Sequence, residues 1–260
     1  MCAETQLFVC PETRRPLVYD NGVWRTDDRS REYPVVDGIP CLVYPRQLLV
    51  EDSRWMAFYD RFAPFYDASE RHLGRLLTGV DALKARADVA KALPVKQGES
   101  VLEVSPGPGV YQSLLADRVG EAGRLTALDL SQGMLLQCAR RTQSQKPRPT
   151  LVRGNASYLP FPNAAFDGLF HFGGVNLFAE PGRALEEFAR VVRPGGWVAF
   201  GDEGMSPEWA ARDDLRARML RRMNPGYGRE PIATPDVLTA VEERAVFGGL
   251  AYLRICEVPS

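Results

Sequence analysis

The sequence predicts an α/β fold with a doubly wound, largely parallel sheet, and three observations lead to this class. A short apolar run at 101–104 is followed by a glycine turn and by helical apolar spacing from 110 to 119. A second apolar run at 125–128 ends at Asp129, about twenty positions after the turn. Strand and helix patterns then alternate as far as residue 200. This alternation is typical of helices packed on both faces of a parallel sheet.

The other elements follow from apolar periodicity and from turn residues. Helices are predicted at 81–93, after an N-cap at Ser131, at 181–192 and at 235–241. Strands are predicted at 150–153, 166–172, 197–200, 245–247 and 250–256. The last two strands would form a closing hairpin, which completes a seven-stranded sheet.

The first 46 residues differ from the rest and predict a small β-rich module. A hairpin is expected around Asp20-Asn21-Gly22, a sequence that suits a tight turn. We therefore divide the chain into a module at 1–46 and a main domain at 47–260. Within the main domain, 51–83 is an aromatic-rich helical segment and 202–234 an insertion after the fifth strand.

Composition excludes several classes of protein. The net charge of the 260-residue chain is −1, which argues against a strongly basic nucleic-acid binder. No apolar run reaches the length of a membrane span, and the first six residues lack the features of a signal peptide. Five scattered cysteines indicate reduced thiols and a cytoplasmic protein.

The glycine turn indicates the class of cofactor. Gly107 and Gly109 allow a ligand to approach the backbone, but Gln112 stands where a dinucleotide site needs its third glycine. Glu103 would repel a pyrophosphate, yet it suits a cofactor that carries an ammonium and a sulfonium group. Asp129, at the tip of the next strand, suits the two hydroxyls of a ribose.

This pattern, E-x-x-x-G-x-G followed by Asp129, resembles motif I and the acidic loop of class I S-adenosylmethionine-dependent methyltransferases. The turn Arg193-Pro194-Gly195-Gly196 is a further marker of that family. The spacing from Phe172 to Asn176 is similar to the ubiquinone/menaquinone-biosynthesis methyltransferases, although Val175 replaces their usual arginine. The resemblance covers 55–258. It implies S-adenosylmethionine as cofactor, not NAD, and a small apolar or aromatic metabolite methylated at O or C.

The resemblance also implies which residues bind the cofactor. They are Tyr66, Glu103, Ser105, Pro106, Gly107, Gly109, Asp129, Leu130, Ser131, Met134, Asn155, Ala156, His171 and Phe172. Asn155 stands where the family usually has aspartate, and its amide oxygen can accept the same hydrogen bond from the adenine amino group. Met134 has the alternative role of core filler, and the aromatic segment 51–83 is either a lid or a core-facing stripe.

Methyl transfer needs a base only when the acceptor must lose a proton. His171 is the candidate catalytic residue, because it lies at the carboxyl end of the fourth strand, where transfer should occur. The alternative is a buried, hydrogen-bonded histidine. Glu203 and Tyr66 are further candidates. The arginine-rich stretch 212–229 is either a grip for an anionic substrate or a solvated helix face.

The N-terminal module resembles a family of small zinc-ribbon-like proteins that includes activator subunits of RNA and protein methyltransferases. Zinc ribbons need two close cysteine pairs, whereas only Cys10 and Cys41 stand here, so we expect no metal. Two alternative functions remain: an RNA or protein methyltransferase with a built-in activator, and a non-catalytic S-adenosylmethionine-binding module. The expected partner is a small-molecule substrate, with no nucleic acid and no membrane span, and a homodimer is left open.

Overall fold

A computed structural model describes residues 8–65, 78–223 and 230–260. Two sheets are present in these residues. The N-terminal sheet contains β1 (Leu17–Asp20), β2 (Val23–Thr26), β3 (Glu32–Val36) and β4 (Ile39–Pro40). The main sheet contains β5 (Ser100–Val104), β6 (Arg124–Asp129), β7 (Thr150–Arg153), β8 (Phe166–Phe172), β9 (Val192–Glu203), β10 (Thr239–Val246) and β11 (Ala251–Glu257).

The main sheet is mixed, in the order β10-β11-β9-β8-β5-β6-β7. Strands β5 to β9 pair in parallel, and β11 lies antiparallel between β9 and β10. The order reverses between β5 and β8, and in such a sheet ligands bind outside the carboxyl ends of the strands at this point. The predicted seven-stranded α/β fold is confirmed.

Seven α-helices are described, and the longer ones cover the main sheet. They are α1 (Val50–Phe62), α2 (Ala82–Ala92), α3 (Val110–Val119), α4 (Gln132–Arg141), α5 (Pro181–Val191), α6 (Pro207–Ala210) and α7 (Leu215–Met223). Neighbouring strand residues enter opposite apolar clusters, as the pleat requires. Val101 packs with α2 and α3, whereas Leu102 packs with α5 and the N-terminal sheet. None of the described helices is long and apolar enough to cross a membrane.

The N-terminal sheet packs on the main domain and shares its core. Asn21 and Gly22 both have positive φ in the β1–β2 turn, as that tight hairpin requires. Phe8 lies against Trp24 of this sheet and Phe161 of the main domain, with ring centroids 4.9 and 6.0 Å apart. The separate β-rich module is thus present, and its apolar residues are buried against the larger domain.

The predicted helix at 235–241 is wrong. Residues from Thr239 onward form β10, whose register shifts at Val241 before it continues beside β11. Residues 235–241 are mostly apolar and suit a short helix, but backbone pairing of Thr239 and Ala240 with the largely buried β11 decides their structure. Phe247–Gly249, part of which was predicted as strand, is a 3-10 turn.

Candidate active site

A cavity of about 300 Å³ lies at the carboxyl ends of β5, β6, β8 and β9, where the strand order reverses. It has two chemically different ends. The ribose end is formed by the loops after β5 and β6, with Ser105, Pro106, Gly107, Asp129, Leu130, Ser131 and Met134. The aromatic wall is formed by Trp55, Tyr59, Phe172, Phe178 and Phe247.

Asp129 organises the ribose end. Its carboxylate accepts hydrogen bonds from the backbone N–H of Ser131 at 2.9 Å and of Gly107 at 3.2 Å. The two loops are therefore joined through one side chain. Burial raises the pKa of Asp129 to about 6, against these bonds, which favour the ionised form. A ligand that donates hydroxyl hydrogens to this carboxylate would stabilise its charge.

Helix α1 closes over the ribose end through Asp60. This carboxylate accepts a hydrogen bond from the hydroxyl of Ser131 at 2.6 Å and from the N–H of Gly133 at 2.9 Å. A Cβ on Gly133 would lie 3.0 Å from the carbonyl oxygen of Asp60, so glycine permits this close approach. Ser131 also caps α4 by accepting from the N–H of Met134 at 3.1 Å, as predicted.

Glu103 lies at the end of β5 with 2% of its surface exposed. Its carboxylate accepts a hydrogen bond from the side-chain amide of Gln112. Burial raises the pKa of Glu103 to about 8, and the nearby Asp129 adds to the shift. A cation placed in the cavity beside Glu103 would oppose that shift.

The two glycines of the turn have different roles. Both have positive φ, +54° at Gly107 and +81° at Gly109. A Cβ on Gly107, which borders the cavity, would meet nothing within 4 Å. A Cβ on Gly109 would lie 2.6 Å from the sulfur of Cys138. Gly109 thus permits α3 to pack on α4, and it is not in the cavity wall.

Asn155 and Ala156 also lie outside the cavity wall. The amide nitrogen of Asn155 donates to Asp52 at 3.1 Å, and its oxygen accepts from the N–H of Ser157 at 3.0 Å. Asp52 borders the cavity and also accepts from the N–H of Ala179 at 3.0 Å. Asn155 therefore holds Asp52 and α1 in place, and Asp52 is the acidic group at this position of the cavity.

His171 is fully buried and does not border the cavity. Its Nδ1 is 3.0 Å from the carbonyl oxygen of Val104, and its ring lies against Phe178 and Phe188 at 5.1 and 5.9 Å. Burial lowers the pKa of His171, so the neutral ring is favoured. The structure therefore does not place this side chain against an acceptor. Tyr66 lies outside the described residues, as do His72 and the end of the arginine-rich stretch.

Glu203, the other predicted candidate base, does border the cavity. It follows Asp202, whose buried carboxylate accepts hydrogen bonds from the N–H groups of Gly174, Asn176 and Glu203 at 2.8 to 3.0 Å. Although burial opposes ionisation, hydrogen bonding with the side chain of Glu203 and with backbone N–H groups lowers the pKa of Asp202. The loop after β8 is thereby fixed to the end of β9.

The N-terminal sheet reaches the ribose end through Arg153. The N–H of Leu42 donates to the carbonyl oxygen of Arg153 at 2.8 Å, and Cys41 forms a parallel bridge to the same residue. Arg153 then donates to the carbonyl oxygen of Leu130 at 3.0 Å. In addition, Gln132 donates to the carbonyl oxygen of Val36 at 3.3 Å. Contacts with the N-terminal module therefore help to fix Leu130 at the ribose end.

Comparison with known proteins shows what the central part of the chain is similar to. Residues 102–200 match the model of a methyltransferase domain family. A solved S-adenosylmethionine-dependent methyltransferase from Aquifex aeolicus has the same fold, with a TM-score of 0.55 and 20% identity, over 76% of this chain and 98% of that one. Residues 102–200 therefore form a methyltransferase domain, and the chain has the fold of that solved S-adenosylmethionine-dependent methyltransferase.

Curated relatives of this methyltransferase domain share part of its sequence. A demethylmenaquinone methyltransferase from Lysinibacillus sphaericus is 38% identical over 113 residues, 44% of this chain and 48% of that protein. Another, from Bacillus licheniformis, is 34% identical over 146 residues, 56% of this chain and 62% of that protein. The chain thus spans less than two thirds of the length of either relative.

Several residues of the methyltransferase site were missed by sequence reasoning. They include Asp52, Asp60, Arg86, Tyr111, Phe178 and Phe247. Asp60 lies within the aromatic run that predicted a lid, and that run could have indicated it. The others come from distant helices and turns, and only the fold brings them together.

Proposed function

We propose that this chain is an S-adenosylmethionine-dependent methyltransferase that acts on a small apolar or aromatic metabolite at O or C. The observation that carries the proposal is the cavity itself, which is lined both by buried acidic groups at the ribose end and by the aromatic wall. Such a cavity suits a polar, cationic cofactor on one side and an apolar acceptor on the other.

At the ribose end, Asp129 would accept hydrogen bonds from the ribose hydroxyls, and Glu103 would face the cationic amino-acid portion. When bound, S-adenosylmethionine supplies an activated methyl group on its sulfonium. The protein then has to align the acceptor and exclude water. The aromatic wall and α1 serve both purposes, because they enclose the cavity with large apolar side chains.

Where the acceptor must lose a proton, we assign its removal to Glu203. This residue borders the cavity, whereas His171 does not. The neighbouring Asp202 fixes the loop after β8 through its bonds to the N–H groups of Gly174 and Asn176. A small-molecule acceptor is further supported by the two relatives named for demethylmenaquinone. We also propose a cytoplasmic location and the division into a module at 1–46 and a methyltransferase domain at 47–260.

Thermal unfolding with S-adenosylhomocysteine and with NADH tests the cofactor. At a hundredfold excess over its dissociation constant, the true ligand adds about 2.7 kcal/mol of stability, a shift of about 5 to 10 °C for a chain of this size. A shift with NADH and none with S-adenosylhomocysteine would contradict the proposal. Formation of S-adenosylhomocysteine with a panel of phenols, quinols and carboxylic acids then tests the acceptor.

A second candidate is a methyltransferase that acts on RNA or protein, with the N-terminal module as a built-in activator. The contact from Leu42 through Arg153 to Leu130 favours it, because it links the module to the loop after β6 at the ribose end. The same assay separates the candidates. Turnover with RNA or protein but with no member of the small-molecule panel would support this second function, and turnover with none of them would support a binding module.

A further inference from the structure

Tyr111 carries a polar atom that the rest of the protein does not satisfy. Its side chain borders the cavity, is 6% exposed, and its hydroxyl has no hydrogen-bond partner in the part of the chain that the structure describes. A buried hydroxyl without a partner is disfavoured, so native structures seldom retain one unless it has a use.

The ring of Tyr111 is held firmly in this position. It lies edge-on to Phe170, with centroids 4.8 Å apart, and 5.9 Å from Phe172. Tyr111 belongs to the first turn of α3, directly after the glycine turn. The hydroxyl is therefore a fixed donor beside the backbone that the amino-acid portion of the cofactor would follow.

Two charged residues lie near Tyr111, one on α2 and one on β5. Arg86 of α2 and Glu103 at the end of β5 both border the cavity, and the charges of both act on Tyr111. Burial raises the pKa of Tyr111, and the guanidinium of Arg86 opposes that rise while Glu103 adds to it. Tyr111 thus remains a neutral donor, between a cationic and an acidic group.

We propose that Tyr111 and Arg86 bind the carboxylate of the cofactor's methionine portion, while Glu103 faces its ammonium group. A carboxylate accepts hydrogen bonds only, so it matches a hydroxyl donor and a guanidinium. The zwitterionic end of the cofactor would then lie along the line from Arg86 to Glu103. This inference rests on the proposed function, because it assumes that S-adenosylmethionine is the ligand.

Calorimetry on the full chain with two ligands tests the inference. S-adenosylhomocysteine has the amino-acid portion, and 5′-methylthioadenosine lacks it. We expect Tyr111→Phe to weaken binding of S-adenosylhomocysteine about tenfold or more, since a hydrogen bond to a charged group is lost. Its affinity for 5′-methylthioadenosine should stay within about twofold of wild type. Arg86→Gln should show the same selectivity.

A matched control is Tyr158→Phe, because the Tyr158 hydroxyl donates to Glu180 at 3.0 Å, outside the cavity. It should leave both affinities unchanged. The unliganded Tyr111→Phe protein should unfold at the same or a higher temperature than wild type, since the variant removes an unsatisfied donor and keeps the ring.

Three results would overturn the inference. Unchanged binding of S-adenosylhomocysteine by Tyr111→Phe would remove the hydroxyl from the cofactor site. An equal loss for both ligands would place its effect at the nucleoside or in the fold. A higher KM for the acceptor alone would assign the hydroxyl to the substrate. In all three cases, the proposed function is unaffected as long as the wild-type protein binds S-adenosylhomocysteine. If the wild-type protein does not bind it, both the proposed function and this inference are wrong.

Discussion

The two ends of the cavity are built from different kinds of contact. At the ribose end, hydrogen bonds of 2.6 to 3.2 Å link Asp129 to Gly107 and Ser131, and Ser131 to Asp60. At the aromatic wall, the contacts are between rings, such as Phe172 and Phe247 with centroids 5.3 Å apart. Directional bonds specify one ligand, whereas apolar contacts accept many shapes. This difference between the two ends explains why the site indicates a particular cofactor but only a class of acceptor.

The largest expected effect is the loss of stability in His171→Ala. The variant also tests whether His171, which packs beside the aromatic wall, takes part in methyl transfer. His171 packs against Phe178 and Phe188. Its removal leaves a cavity, so we expect the free energy of unfolding to fall by about 2 to 4 kcal/mol. Urea unfolding measures this. The pH profile of single-turnover transfer should remain that of the wild type. If stability is kept and an ionisation disappears from the profile, His171 is the base after all.

Asp129→Ala should weaken binding of S-adenosylhomocysteine by about 1.5 to 3 kcal/mol, as expected for a lost charged hydrogen-bond partner. The N–H groups of Gly107 and Ser131 also lose their acceptor. Calorimetry gives the affinity directly. Wild-type affinity in this variant would mean that the ribose end is not where the cofactor binds.

Glu103 should make cofactor affinity depend on pH. Its pKa in the folded protein is raised from 4.5 to about 8, so the folded state holds this proton more tightly than the unfolded state does. Without ligand, the free energy of unfolding therefore falls as pH rises between these values. A cationic ligand favours the ionised carboxylate. Affinity should then rise between pH 6 and 8, by at most about tenfold per pH unit for one proton.

Glu103→Gln is the control for this dependence. The substitution removes the ionisable group but keeps an oxygen that can accept a hydrogen bond from Gln112. Its affinity should change much less between pH 6 and 8, apart from the contribution of Asp129, whose pKa is about 6. Equal slopes in the two proteins would show that Glu103 does not face the cation.

The smallest effect on cofactor binding is expected at the aromatic wall. Phe247→Leu keeps an apolar side chain but loses the stacked contact with Phe172. We expect affinity for S-adenosylhomocysteine within about twofold of wild type and a several-fold loss of kcat/KM for the acceptor, since the change affects packing and removes no hydrogen bond. A larger loss of cofactor affinity in Phe247→Leu than in Asp129→Ala would mean that the aromatic wall, and not the ribose end, contributes more to cofactor binding.

The sequence predicts the ribose end well because its determinants are local. The glycine turn, Ser131 and Asp129 lie at strand ends that apolar runs mark clearly. Asp52 and Asp60 lie in the segment that predicted a lid, but their roles have no local signal, because their partners lie about 70 to more than 120 positions away. Contacts of this range depend on how α1 docks, which no local pattern encodes.

His171 shows a different limit. Side chains alternate along a strand, so neighbours point to opposite faces. Phe172 borders the cavity, whereas His171 turns toward Phe178 and Phe188 on the other face of β8. The sequence predicts correctly that His171 lies near the end of its strand. It does not predict that Phe172, and not His171, borders the cavity, because packing decides this.

The two edges of the main sheet are protected in different ways. At one edge, β7 is covered by the backbone of Cys41 and Leu42 from the same chain. At the other edge, β10 is interrupted at Val241 and exposes the charged side chains of Glu243 and Arg244. An irregular, charged edge resists strand addition. Self-association that extends this sheet from one molecule into the next is therefore disfavoured at both ends, and a pair of molecules would have to meet through helices or loops.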